Sequence, residues 1–398
     1  MSRHKMVIFL LMLAVPLLAV AALVQTSALA AQDQTAQEIE VVASNLSNPR
    51  GLEFGPDGAL YVAEAGYGGS GACLPNPEGG DPVCYGETGA ITRLDIPTAT
   101  QVVTGLASMA VVTGTAATGP HDVAFNSAGE MVAVIGLGAN PLSRTASVEL
   151  ENLGQLISAT TSGAWSNWVD IAQYEADENP AGGPLDSNPF SVAAVDDGYI
   201  VSDAGMNALL HVSAGGTISV VATFPTRTAE FPPGSGSMVP MDPVPTGVTV
   251  GPDGAYYVGE LTGFPFPAGG ANVWRIVPGQ PPELYASGFT NVVDVAFDED
   301  GNLYVLEIAT NSLLSGDPTG ALIRVTSSGR HQVIASEGLF MPTGLVIGPD
   351  GNAYVSNYGI FPMSPVEGPP TGQVVRITLP PVTVLYFPIV AKNETETE

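Results

Sequence analysis

Short apolar runs separated by turns recur along the chain in one arrangement. Each copy has an apolar strand, an Asp-Gly type of turn, a second strand rich in Tyr and Val, a variable loop, and a third and a fourth strand. The first two strands of the copies run over Gly51–Glu64, Asp122–Gly136, Ser191–Asp203, Gly247–Glu260, Asp294–Glu307 and Gly344–Asn357. Long helical periodicity is absent. A four-strand unit repeated at roughly 47 to 71 residues predicts an all-β fold, a six-bladed β-propeller with four-stranded blades.

The sixth copy is one strand short, because its third strand, Gly372–Thr378, is followed directly by Pro380 and Pro381. The missing strand resembles Glu40–Ala43 near the amino terminus, which matches the fourth strands of other copies. We therefore predict that residues 38–43 complete blade six, so that the ring closes and no open sheet edge remains.

The two ends of the chain differ from the repeats. Residues 1–30 have the layout of a secretory signal peptide, with basic residues, an apolar run and small residues ending at Ala30, although a retained membrane anchor is the alternative. We assign residues 31–379 to the propeller and 380–398 to a strand-like segment with a disordered acidic tail. No later apolar run is long enough for a membrane span. We expect the protein to be secreted, extracytoplasmic and monomeric.

The charge balance excludes some partners. The chain of 398 residues carries a formal net charge of −28, and removing the signal peptide would take away basic residues only. Such a surface opposes binding to nucleic acid or to anionic lipid.

Because successive antiparallel strands reverse direction, the connections between them alternate between the two faces of the disc. With strands named a to d from the axis outward, the a-to-b turns are short, as in Gly55–Gly58 and Gly251–Gly254. The long insertions all fall in b-to-c and d-to-a connections: 65–89, 136–153, 172–189, 223–245, 261–270, 309–319 and 358–371. Because rigid scaffolds present function on loops, we expect any site for a small polar or aromatic ligand or a protein partner on this loop-rich face.

Several motifs in order along the chain are specific: Gly66–Cys73, Cys84–Gly89, Gly119–Phe125, Asn188–Phe190, Asp203–Asn207 and Leu261–Pro267. Together they resemble the ScyD/ScyE family of NHL-like and gluconolactonase-like propellers over nearly all of residues 38–379. Members are linked to the pathway of an extracellular cyanobacterial pigment, and the resemblance implies no particular reaction. The chain departs from the family at Ser158, where relatives tend to have Arg nearby, and at Phe190, where Tyr is usual.

The two cysteines, Cys73 and Cys84, lie in one Gly- and Pro-rich insertion. In an oxidising compartment they predict a disulfide. No CxxC pair or adjacent His completes a zinc site.

A set of acidic residues recurs at the end of strand b: Glu64, Asp203, Glu260 and Glu307, with Gly136 and Asn357 in the other two blades. Strand c carries Arg93, Ser158, His211, Arg275, Arg324 and Arg376 at one matching position. Since blade two lacks both an acid and a base, we predict structural charge pairs across the b-to-c hairpin, with Asp203 opposite His211. The alternative is that the carboxylates ring a cation or a polar ligand.

The start of strand a supplies candidates for a ligand or pore site. They are Arg50, His121, Asp122, Asn188 and Asp294. His121 beside Asp122 is either a general base held by a carboxylate or a packed, hydrogen-bonded histidine. A divalent cation, calcium or zinc, could occupy the central channel there. The Glu, Asn and Asp set of gluconolactonases is absent, as are GxSxG and HExxH motifs.

Aromatic pairs add one open question, since Trp165 with Trp168, and Phe264 with Phe266, either line an aromatic cleft or pack within core and loops. The leading hypothesis is a binding or accessory protein. The alternatives are a metal-assisted lyase or lactonase-like hydrolase, and a structural envelope protein.

Overall fold

The computed structural model describes residues 38–76, 79–326, 328–360 and 369–381. The predicted signal peptide, residues 1–30, and the chain from residue 382 onward lie outside the described residues. None of the helices in the described part is long and apolar enough to cross a membrane.

The described strands form six four-stranded antiparallel blades, as predicted. Strand β1 (Ile39–Leu46) belongs to the last blade. Blade one contains β2 (Pro49–Phe54), β3 (Leu60–Glu64), a short β4 (Cys73–Leu74), β5 (Val83–Asp95) and β6 (Thr98–Ala110). Blade two contains β7 (Pro120–Phe125), β8 (Met131–Ile135), β9 (Gln155–Ala159) and β10 (Trp165–Asp170). Blade three contains β11 (Pro189–Val195), β12 (Gly198–Asp203), β13 (Ala208–Ser213) and β14 (Ile218–Thr223).

The second half of the ring follows the same order. A hairpin of β15 (Arg227–Glu230) and β16 (Met238–Met241) precedes blade four. Blade four contains β17 (Pro245–Val250), β18 (Tyr256–Glu260), β19 (Ala271–Ile276) and β20 (Glu283–Phe289). Blade five contains β21 (Val292–Phe297), β22 (Leu303–Glu307), β23 (Ala321–Val325) and β24 (His331–Ala335). Blade six contains β25 (Gly344–Ile347), β26 (Ala353–Asn357) and β27 (Gly372–Ile377).

The amino-terminal strand closes the ring. Strand β1 pairs antiparallel with β27, from Ile39 opposite Ile377 to Leu46 opposite Gly372. It extends three residues beyond the predicted segment, because bulges after Val41 and Ser44 let it follow the curved edge. The first strand of each blade contacts the first strands of the blades on either side, so these six strands surround the axis.

Aromatic side chains seal several seams between blades. Tyr61 on β3 packs edge to face against Phe125 on the next blade, with ring centroids 4.8 Å apart. Tyr257 packs against Phe297 in the same way at 4.8 Å. These rings bury a large apolar area at the junction of two twisted sheets. This burial explains why Tyr recurs in strand b.

The long connections carry small elements of their own on the loop-rich face. A helix, α1 (Ile171–Glu178), begins where Asp170 Oδ1 accepts a hydrogen bond from the Gln173 amide at 2.8 Å. It ends at Asn179, which adopts a left-handed conformation with φ of 40°. Short 3₁₀ helices span Pro141–Ala146, Val148–Asn152 and Leu313–Ser315. Cys73 and Cys84 form the predicted disulfide in the first of these insertions.

Candidate ligand site at the mouth of the central channel

The predicted pairing of Asp203 with His211 is wrong. In the ladder of blade three, Asp203 lies opposite Ala208 and His211 lies opposite Ile200. The turn contains only the four residues 204–207, so the hairpin is centred before Asn207 and not on it. Acid and base are therefore about three strand residues apart, roughly 10 Å.

Four of the five basic residues of strand c, all except Arg324, instead contact the a-to-b turns on the opposite face. In blade one, Asp57 Oδ2 accepts hydrogen bonds from Arg93 Nε at 3.1 Å and from the Tyr61 hydroxyl at 3.1 Å. We call this arrangement the Asp-Tyr-Arg cluster. Blade four repeats it with Asp253, Tyr257 and Arg275. In blade six Tyr354 donates to Asp350, while Arg376 forms only an ion pair with Asp350, at 4.0 Å. His211 contacts Asp197 at 3.0 Å, and Arg324 bonds to Gln332.

Blade two departs from this pattern at every member. Its ladder places Ile135, and not Gly136, at the position of Glu64, since each lies opposite the first proline of its strand a. The predicted equivalent of Glu64 in blade two was therefore wrong by one residue. The same registers place Val132 where Tyr61 stands and Ser158 where Arg93 stands.

The carboxylates at the end of strand b hold the loops of their own blades. Glu64, Asp203 and Glu307 each accept a hydrogen bond from the backbone amide of the loop that leads into strand a. The donors are Ser47 at 2.6 Å, Asn188 at 2.7 Å and Thr290 at 2.7 Å respectively. The Asn357 side-chain oxygen does the same for Phe340 at 2.8 Å, and Glu260 contacts Arg227 at 2.6 Å.

These acids are at most 6% exposed, and burial controls their protonation. Burial raises the pKa of Asp203 to about 6 and that of Glu307 to about 7, although hydrogen bonds from backbone amides oppose the shift. These acids thus stabilise the loops within their own blades. The ion pair between Glu260 and Arg227 joins blade four to the β15–β16 hairpin, and not to Arg275.

The central channel contains a cavity of about 260 Å³ lined by all six innermost strands. Asp122 and Asp294 line it from opposite blades. Glu53 also lines it, and sequence reasoning missed this residue. The available signal was a charge at a strand-a position where the other copies have Ala, Thr or Val.

Both aspartates span a seam between blades. Asp122 Oδ2 accepts hydrogen bonds from the Ser191 hydroxyl at 2.7 Å and the Val192 amide at 2.9 Å. Asp294 Oδ2 accepts one from the Leu345 amide at 2.7 Å. Gly51 makes room, because a β-carbon there would lie 1.9 Å from Asp122 Oδ1.

The channel acids do not present a ready set of metal ligands. Every oxygen of Asp122 and of Asp294 already accepts a backbone or hydroxyl hydrogen bond. Burial raises the pKa of Asp122 to about 6, and burial together with the Asp122 charge raises the pKa of Glu53 to about 7. Within the described ranges no group of three or more His, Cys, Asp or Glu could hold a metal ion. These engaged oxygens therefore do not favour the calcium or zinc that the sequence left open for the channel.

His121 points along the ring and not toward Asp122. Its Nδ1 lies 3.1 Å from the carbonyl oxygen of Pro189, and because a carbonyl only accepts, Nδ1 is the protonated nitrogen. The Thr246 and Thr343 hydroxyls donate to the next blade in the same way. Burial, and then the charge of Arg50, lower the pKa of His121 to about 3, so the ring is neutral.

Arg50 is a buried cation with one hydrogen bond to the chain and no counter-ion in the described structure. It is 7% exposed, and its Nη2 donates to the carbonyl oxygen of Ala117 at 2.7 Å. Its Nε is buried without a hydrogen-bond partner, and no carboxylate of the described residues pairs with it. Burial lowers the pKa of Arg50 to about 10, which still leaves it charged at neutral pH.

Asn188 and Phe190 complete this part of the channel mouth. The Phe190 ring centroid lies 5.4 Å from that of His121, and both Asn188 and Phe190 are half-buried. Gly136 is required here, because a β-carbon would lie 2.3 Å from His121 Cε1 and 2.6 Å from Asn188 Oδ1. The mouth thus combines a lone cation, a neutral imidazole, an amide and an aromatic ring.

No family model matches the chain, and no curated protein matches it. Solved structures do. A protein of unknown function from Bacteroides thetaiotaomicron aligns with a TM-score of 0.51 at 9% identity, over 86% of this chain and 76% of that one. The calcium-binding protein regucalcin from Agrobacterium tumefaciens aligns with a TM-score of 0.50 at 12% identity, over 85% and 93%. Virginiamycin B lyase from Staphylococcus aureus aligns at 0.45 and 13% identity, over 86% and 99%. At these identities the alignments show a shared fold alone.

Proposed function

We propose that the chain is an extracytoplasmic binding or accessory protein of the ScyD/ScyE kind, which holds a small anionic ligand at the loop-rich mouth of its channel. The order of the motifs from Gly66 to Pro267 supports the kinship. The disulfide between Cys73 and Cys84 supports an oxidising compartment, since such bonds are rare in the cytosol.

The lone cation Arg50 carries this proposal. A charge taken out of water costs several kcal/mol unless a partner or hydrogen bonds compensate it. Arg50 has one hydrogen bond to the chain and an Nε with no described partner. A ligand carboxylate would satisfy both the charge and the free donor, because guanidinium and carboxylate match in geometry.

The residues around His121, whose pKa the charge of Arg50 lowers, define the rest of the ligand. Phe190 offers a half-buried aromatic ring 5.4 Å from that of His121. Asn188 is also half-buried, and because its Oδ1 accepts a hydrogen bond from the Leu137 amide at 3.2 Å, it offers its amide nitrogen as a donor. An aromatic acid would place its ring against Phe190 and its carboxylate toward Arg50. The ligand class is therefore a small aromatic carboxylate.

The properties of His121 are better suited to ligand binding than to acid-base catalysis. A general base works best when its pKa lies near the working pH. The pKa of His121 is lowered to about 3, and its Nδ1 proton is already donated to Pro189. The imidazole is thus suited to orient a ligand as a neutral group.

Titration calorimetry with aromatic acids tests the proposal. We expect indole-3-acetate and benzoate to bind, and their amides, which lack the charge, to bind at least tenfold more weakly. Arg50→Met should abolish the difference. Arg93→Met, on the opposite face, should leave it intact. Equal binding of acid and amide, or acid binding that survives Arg50→Met, would refute the proposal.

A metal titration distinguishes the alternative of a metal-assisted lyase or hydrolase. Because the oxygens of Asp122 and Asp294 are engaged by the chain, we expect the thermal midpoint to be unchanged by calcium, zinc or chelator. A rise with one of these ions that disappears in Asp122→Asn and Asp294→Asn would favour the enzyme instead.

A further inference from the structure

A second recess lies between blades two and three on the short-turn face, opposite the face where the insertions cluster. It is a cleft of about 720 Å³. Its walls come from the a-to-b turns and c-to-d hairpins of the two blades, all of them described. This volume is within the range of small-molecule sites.

The cleft exists because blade two lacks the side chains that fill other seams. Ala128, Val132 and Ser158 occupy the positions of Asp57, Tyr61 and Arg93. On the facing blade, Ala194 stands opposite Tyr199, in the register where blades one, two and five place Phe54, Phe125 and Phe297. Four large or charged groups are thus replaced by small ones in one seam.

The walls combine aromatic and hydroxyl groups. Trp168 and Tyr199 form an edge-to-face pair with ring centroids 5.7 Å apart, and Trp168 is half-buried at the cleft. The Ser158 and Ser166 hydroxyls lie 3.1 Å apart on the wall of blade two. Ser127, Asn126, Thr160 and Thr161 add further polar groups.

The charges at the rim restrict the ligand. No Lys, Arg or His lines this fully described cleft, so an anion would find no partner. Glu130 and Asp196 are exposed, and Glu130 already accepts a hydrogen bond from Asn126 at 2.7 Å. Exposed and engaged carboxylates attract a cation only weakly. A purely apolar ligand would bury the wall hydroxyls without partners.

We propose that this cleft binds a neutral saccharide. A sugar ring presents an apolar C–H face, which stacks on Trp168, and a rim of hydroxyls, which exchange hydrogen bonds with Ser158, Ser166 and Ser127. Serine and threonine hydroxyls both donate and accept, as sugar hydroxyls require. The site is independent of Arg50, because it lies on the other face between different strands.

The test is calorimetric titration, with tryptophan fluorescence as a second readout, against a panel of maltose, cellobiose, chitobiose, lactose and mannobiose. We expect at least one to bind with a dissociation constant in the micromolar to millimolar range. Trp168→Ala should weaken binding at least tenfold. Trp274→Ala, in blade four, should not change it.

A closing variant gives the sharpest control. This variant introduces the Asp-Tyr-Arg cluster of blade one into blade two by Ala128→Asp, Val132→Tyr and Ser158→Arg. We expect it to abolish sugar binding. Circular dichroism confirms folding, and if this variant does not fold, Trp168→Ala alone decides. The inference is overturned if no sugar of the panel binds the wild type at up to tens of millimolar, if both variants bind as well as the wild type, or if benzylammonium binds more tightly than every sugar. Loss of sugar binding with aromatic-acid binding retained separates this site from the mouth.

Discussion

Ser158 lies opposite Val132 in the ladder between β9 and β8, in the register that Arg93 and Tyr61 occupy in blade one. This single pair separates two kinds of seam in the ring. Where Tyr and Arg are present, Tyr61 is 1% exposed and packs on the next blade. In blade two, where Val132 and Ser158 replace them, the seam with blade three is a cleft.

The same exchange made in blade one should open a second cleft at a measurable cost. Tyr61→Val with Arg93→Ser removes a buried ring and both side-chain hydrogen-bond donors to Asp57. We expect a loss of about 3 kcal/mol in the free energy of unfolding, mostly from the ring, since large-to-small core substitutions leave a cavity. Urea denaturation measures it. A loss below about 1 kcal/mol would mean that the cluster does not seal the seam.

Stability should fall as the pH rises through neutrality. Burial raises the pKa of Glu307 from 4.5 to about 7, so the folded state favours the protonated form. Its contribution is fully present below pH 4.5 and is lost as the pH rises through 7. The raised pKa of Asp203, about 6, acts in the same direction. Asp57 and Asp253 have lowered pKa values, so their contributions disappear only in stronger acid.

Glu307→Gln isolates one of these groups. Gln keeps an acceptor for the Thr290 amide and has no charge to bury. We expect the variant to match the wild type near pH 4.5 and to exceed it above pH 7, by the order of 1 to 3 kcal/mol. Unfolding curves across this range measure the difference. If the stability of the variant relative to the wild type were lower at pH 8 than at pH 5, Glu307 would have the opposite effect on the pH dependence of stability.

The disulfide should stabilise its own insertion more than the ring. Cys73 lies opposite Cys84 in the short β4–β5 ladder, with a sequence separation of 11 residues. Closing such a loop contributes up to about 3 kcal/mol in the chain-entropy model. For Cys73→Ser with Cys84→Ser, we expect faster hydrogen exchange within 72–85 and a cooperative transition of the remaining blades. Loss of protection throughout the ring would show that the bond supports the whole fold.

Removal of β1 should open the propeller. Without Ile39–Leu46, the edge of β27 loses its partner strand and exposes a row of unpaired backbone groups. We expect a chain that begins at residue 47 to associate or aggregate in size-exclusion chromatography, whereas one that begins at residue 38 stays dispersed. A dispersed short chain with unchanged thermal unfolding would contradict the closure.

The repeat and its closure were predictable because both depend on local alternation of apolar and polar residues. The site was predictable only in part. The pairing of Asp203 depends on the length of one turn, and a shift of three residues changed its partner from His211 to the Asn188 amide. The burial of Arg50 depends on Ala117, which is distant in sequence and reaches it only in the closed ring.

The central claim is that Arg50 is kept as a buried charge for a ligand and not for stability. The most direct measurement is the free energy of unfolding of the wild type and of Arg50→Met, each without ligand and with indole-3-acetate at millimolar concentration. We predict that Arg50→Met is as stable as the ligand-free wild type or more so, because an unpaired buried charge is removed. We also predict that the acid stabilises only the wild type. The claim is contradicted if Arg50→Met loses more than about 1 kcal/mol without ligand while the acid stabilises both proteins equally.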